Sequence, residues 1–124
     1  MLPLIALAAA TMAVDAHRGR DRLLVVFAPG AASPALAAQR AAIDGPELAE
    51  RDLHVVEVVG DSVMGASDRA TALRARCHVA ANAFRAVLIG KDGGVKLSSA
   101  APLTTARLTA TIDAMPMRQA EMRR

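Results

Sequence analysis

Two short apolar runs joined by a glycine turn constrain this chain most. Phe84-Arg85-Ala86-Val87-Leu88-Ile89-Gly90-Lys91-Asp92-Gly93-Gly94-Val95-Lys96-Leu97 reads as a β-hairpin. Phe84 to Ile89 is one strand and Val95 to Ser98 the next. Lys91-Asp92-Gly93-Gly94 supplies the positive-φ positions that a tight turn needs. Upstream, Leu23-Leu24-Val25-Val26-Phe27-Ala28 is apolar without alternation, the pattern of a strand buried on both faces. Leu53-His54-Val55-Val56-Glu57-Val58-Val59 is a second β-branched run, closed by Gly60-Asp61.

Helical stretches separate these runs. Ser33-Pro34 is a helix start, with Ser as N-cap and Pro at the first helical position. Leu36, Arg40 and Ile43 then share one face, and Glu47 to Arg51 adds a turn after Gly45-Pro46. Asp68 to Arg76 reads as another helix, capped by Ser67, with Ala70 and Leu73 turned inward. Thr104 or Thr105 caps a last helix carrying Leu108, Ile112 and Met115, which Pro116 ends or kinks. The order is βαβ, then α, then ββα. A helix between the first two strands makes them parallel, through a right-handed crossover. The expected fold is α/β, one domain over residues 22–115, with a polar tail over 116–124.

Composition excludes several classes. The chain has 124 residues, 53% apolar and 22% charged, so it folds around one core and is not disordered. Phe27 and Phe84 are its aromatic residues, too few for a base-stacking platform. The net charge is only +3 and the arginines are scattered, so no nucleic-acid partner is expected. A single cysteine, Cys77, excludes an internal disulfide and a Cys-x-x-Cys pair. His17, His54 and His78 have no zinc-ligand spacing, and no metal or cofactor is expected.

Met1 to Val14 is uncharged and apolar. A membrane span needs about 20 such residues, so this run is too short to be one. It fits a secretory signal over residues 1–16, with small-residue sites after Ala13 or Ala16, although no basic residue precedes it. The other reading is a buried first strand or helix. Export implies a periplasmic or secreted protein with no stable membrane span after processing.

The stretch from Arg22 onward resembles the bacterial family known as domain of unknown function 4174. The pieces that carry the resemblance are Leu23–Pro29, Glu50-Arg51-Asp52-Leu53, Phe84–Lys96 and Ile112-Asp113-Ala114-Met115-Pro116-Met117-Arg118. The resemblance implies a thioredoxin-like fold: a four-stranded mixed sheet of order 2-1-3-4 with helices on both faces. Related modules occur in extracellular matrix proteins of the sushi-repeat and Equarin type. The resemblance implies an extracytoplasmic setting and no particular reaction. The loop after the first strand, Ala28 to Pro34, holds no cysteine where a redox thioredoxin has its dithiol. Arg85 falls where thioredoxins place a cis-proline, a position near which peroxiredoxins carry an arginine.

In such a sheet, ligands bind outside the carboxyl ends of the parallel strands. Pro29, Gly30, Ser33, Asp61, Phe84 and Arg85 are therefore expected at one edge, as a site for a small anion or a peptide carboxylate. The structural alternative is an Arg85–Asp61 ion pair with Ser33 acting only as a cap. Cys77 reads as a buried small hydrophobe, or as a thiol acidified by Arg74, Arg76 or Arg85. Glu57 reads as an exposed strand-edge residue, and His54 as solvated. The expected function is non-catalytic binding, to another envelope protein. The alternative is thiol or peroxide chemistry at Cys77.

Overall fold

The computed structural model describes residues 12–43 and 45–123. A 3-10 turn, Val14–His17, leads into β1 (Arg22–Ala28). Two helices, α1 (Pro34–Ala42) and α2 (Pro46–Glu50), precede β2 (Leu53–Val59) and β3 (Ser62–Met64). Helix α3 (Ala70–Cys77) leads to β4 (Arg85–Ile89) and β5 (Val95–Ser99), then α4 (Thr105–Asp113) and α5 (Pro116–Met122). The leader expected over 1–16 lies mostly outside the described residues.

The five strands form one mixed sheet of order β3-β2-β1-β4-β5. β1 and β2 are parallel, and every other pair is antiparallel. The order expected for the four long strands, β2-β1-β4-β5, sits inside this sheet. The expectation of four strands is corrected by β3. It pairs Val59 with Ser62, Val58 with Val63 and Glu57 with Met64, across a turn that Gly60 enters at φ 57°. Three residues show too little alternation to be read as a strand, so Gly60-Asp61 looked like an end.

Side chains of β1 alternate between two cores. Leu23, Val25 and Phe27 pack with Val14, Val56, Val58, Leu73 and Val87 on the α3 side. Leu24, Val26 and Ala28 pack with Leu36, Leu48, Leu88, Leu108 and Ile112 on the side of α1, α2 and α4. Ser33 caps α1 by accepting from Leu36 N at 3.3 Å, and Thr104 caps α4 by accepting from Arg107 N at 3.0 Å. The inward α1 residue beside Leu36 is Gln39, not Arg40. Its amide donates to Leu103 O at 2.8 Å and accepts from Leu103 N at 2.7 Å. Arg40 is exposed and forks onto Glu57 at 2.7 and 2.9 Å. Ser67 is not the cap of α3. Arg69 takes the N-cap position there, with no side-chain hydrogen bond.

The segment after Pro116 is not a loose tail. Pro116 opens α5, a position where its missing N–H is harmless. α5 brings a carboxylate to Arg22, which is completely buried at the start of β1. Arg22 donates to Arg51 O at 2.9 Å and to both Glu121 oxygens, at 3.3 and 3.2 Å. Lys91 Nζ donates to Glu121 Oε2 at 2.7 Å and to Asp52 Oδ2 at 2.8 Å. Burial alone would raise the Glu121 pKa. The hydrogen bonds from Lys91 and Arg22, with their charges, outweigh it and hold the carboxyl at about 2, against an ordinary 4.5.

A native pKa below the unfolded one means that Glu121 stabilises the fold above about pH 4.5. That contribution falls away as pH drops through about 2. Glu121→Gln leaves Arg22 buried without its counter-charge and should cost about 3 kcal/mol at pH 7. Urea unfolding at pH 7 and at pH 2 checks this. The deficit relative to the native chain should be large at pH 7 and shrink in acid.

Candidate functional site

The carboxyl ends of β1 and β2 and the start of β4 meet at one edge of the sheet. Gly60 N donates to Ala28 O at 3.0 Å, closing the two parallel strands onto each other. A Cβ on Gly60 would stand 3.6 Å from Pro29 O, so the turns after β1 and β2 lie side by side. Pro29, Gly30 and Asp61 are thus neighbours, with Asp61 exposed at the tip of the β2–β3 turn. Ser33 N donates to Gly30 O at 3.2 Å, drawing the loop tightly into α1. Ser33 Oγ is engaged as the α1 cap.

Phe84 and Arg85 diverge. Phe84 is half-buried against the α1 and α4 core. Arg85 stands opposite Phe27 in the β1–β4 register, which places it on the α3 face. Its Nη1 donates to Ser98 Oγ at 3.0 Å, and no ion pair joins it to Asp61. Of the six expected residues, Pro29, Gly30, Ser33 and Asp61 cluster, Arg85 lies one strand away on the α3 side, and Phe84 faces the other core.

A cation that the sequence reading did not place there completes the edge. Arg74, from α3, is only 7% exposed, and its Nη2 donates to Ala28 O at 3.3 Å. Its Nε is enclosed without a hydrogen-bond partner. Among the described residues no carboxylate pairs with Arg74, and none accepts from its Nη1. An unpaired charge this buried costs several kcal/mol. The signal was present in the spacing: Ala70, Leu73, Arg74 and Cys77 form an i, i+3, i+4, i+7 stripe that faces the sheet.

Cys77 ends α3, half-buried against the same core. Burial pushes its thiol up from 9.0 and outweighs the opposing charge of Arg76, so the acidified thiol is corrected in direction. Arg76 is itself drawn to Asp15 at 2.7 Å. His54 is not simply solvated: it is half-buried and stacks on His17, centroids 4.9 Å apart and planes 21° apart. His54 Nε2 lies 2.9 Å from Gly65 O, and His17 Nδ1 lies 2.8 Å from Asp21 Oδ2. Among the described residues no group of three or more His, Cys, Asp or Glu is placed to hold a metal, and no helix is long and apolar enough to cross a membrane.

Residues 13–121 match the family model of a domain of unknown function (DUF4174). The chain belongs to this family. The match includes the 3-10 turn at one end and most of α5 at the other, so both belong to the domain. No curated protein and no solved structure matches it.

Two outcomes follow from the site. Arg74→Met removes an uncompensated buried charge while Ala28 O keeps its bond from Gly60, so thermal unfolding should show stability unchanged or raised by about 1 kcal/mol. The Cys77 thiol should react slowly with iodoacetamide at pH 7, with a pH–rate midpoint above 9.0.

Proposed function

We propose that this domain is a non-catalytic, thioredoxin-like binding module of the cell envelope. It holds an anionic group, a peptide carboxylate or a small inorganic anion, at the carboxyl edge of its sheet. The observation that carries the reading is Arg74: a buried guanidinium at the end of β1, bonded to one carbonyl and lacking a counter-charge among the described residues. An anionic ligand would offset the desolvation cost that this unpaired guanidinium otherwise carries. A planar fork with free donors matches a carboxylate. The α1 N-terminus, which follows Pro29 and Gly30 in the chain, adds the partial positive charge of the helix dipole.

The rest of the edge supports binding over chemistry. The loop after β1 carries Pro29, Gly30, Ala31, Ala32 and Ser33 where a redox member has thiols. Cys77 is held in its protonated form. The strand order β2-β1-β4-β5, with β1 and β2 parallel, supports the thioredoxin-like reading, with β3 as an addition at the sheet edge. The apolar amino-terminal run supports export.

Titration of the 15N-labelled protein with acetate, phosphate, and a short peptide ending in a free carboxylate tests this. Saturable shifts are expected at the Arg74 side chain and at the Gly30 and Gly60 amides. Arg74→Met should abolish them and Cys77→Ser should leave them. The absence of shifts, or their survival in Arg74→Met, would sink the proposal, and the amidated peptide separates carboxylate recognition from peptide contacts.

A further inference from the structure

We infer that export removes residues 1–13 and that the new amino terminus, at Val14, sits on the Asp68 carboxylate. This rests on the envelope location proposed above. The sequence offers cuts after Ala13 and after Ala16, each behind a small residue. The fold tells them apart. Val14 is 2% exposed and lies in the core with Leu23, Val25, Val56 and Leu73. Asp15 holds Arg76 at 2.7 Å. A cut after Ala16 strips both away and opens the core beneath the 3-10 turn. A cut after Ala13 keeps both, and the family match begins at residue 13.

The second observation concerns charge. Val14 N lies 2.8 Å from Asp68 Oδ1, and the Asp68 side chain makes no other hydrogen bond among the described residues. In the uncut chain this is an amide N–H donating to a half-buried carboxylate. Hydrolysis adds water across the Ala13–Val14 bond, leaving the Ala13 carboxylate on the leader and an α-amino group on Val14. A free α-amino group titrates near 7.7–8.0, so it is mostly an ammonium at neutral pH. The amide contact becomes a salt bridge with three donors in place of one. Asp68 also sits just ahead of α3, where the helix dipole favours a carboxylate.

The cut gives up two bonds, Ser67 N to Met12 O and Ala16 N to Ala13 O, both at 3.0 Å. Ala13, Ala16 and Ser67 are exposed, so water replaces what is lost.

Intact mass and amino-terminal sequencing of the protein from its native host's envelope fraction test the position. A chain beginning at Val14 is expected. A chain beginning at His17, or at another residue beyond the leader, overturns the assigned cut and leaves export standing. A chain that retains Met1 overturns export and this inference together. The seat is tested on protein beginning at Val14, released from a cleavable fusion. Asp68→Asn should lower its melting midpoint by roughly 4 °C more than it lowers that of the uncut chain. Equal losses would show that the ammonium does not use Asp68.

Discussion

Every residue of β1 is at most 2% exposed, and the rest of the structure depends on that burial. A strand so enclosed needs hydrogen-bonding neighbours on both edges and side-chain cover on both faces. β2 and β4 supply the first. The 3-10 turn and α3 supply one cover, and α1, α2 and α4 supply the other. The strand also carries a charge at one end and meets a charge at the other, so burial forces the fold to deal with each.

It deals with them differently. At the amino end, Arg22, Arg51, Lys91 and Arg118 are interlaced with Glu50, Asp52, Asp113 and Glu121. Every cation there has a carboxylate in contact, and burial strengthens the attraction as well as the desolvation cost. At the carboxyl end, Arg74 meets only the carbonyl of Ala28. Two buried guanidiniums a strand length apart thus differ in one respect: Arg22 has a carboxylate against it and Arg74 has none, while the Nε of each lacks a hydrogen-bond partner. That contrast, more than the exposure of any surface loop, distinguishes the candidate site from the framework.

What could be read from the sequence was whatever rested on local physics. β1 was legible as an unbroken apolar run, β2 as a β-branched one, the β4–β5 hairpin by Gly93 and its neighbours, and α1 by Ser33-Pro34. Their order along the chain, taken with the family resemblance, arranged four strands. Features decided by distant partners were not legible. α5 is polar in sequence and becomes structural only because Arg22, 99 residues from Glu121, needs a counter-ion. Arg40 was read onto the inward face of α1, whereas Gln39 takes that place because Leu103 offers both of its backbone groups. β3 exists because β2 gives it a template. At the site, Arg85 was legible as a cation at a strand start, but its tie to Ser98 was not. Arg74 carried a visible helical phase, yet the absence of a carboxylate opposite it is a property of the packed molecule alone.

The tie between Arg22 and Glu121 couples a peripheral helix to the most enclosed strand of the sheet. Detaching α5 would strip the counter-charge from a guanidinium that is completely buried. Opening of α5 is therefore tied energetically to the centre of the fold, and an outer element shares in the stability of the core.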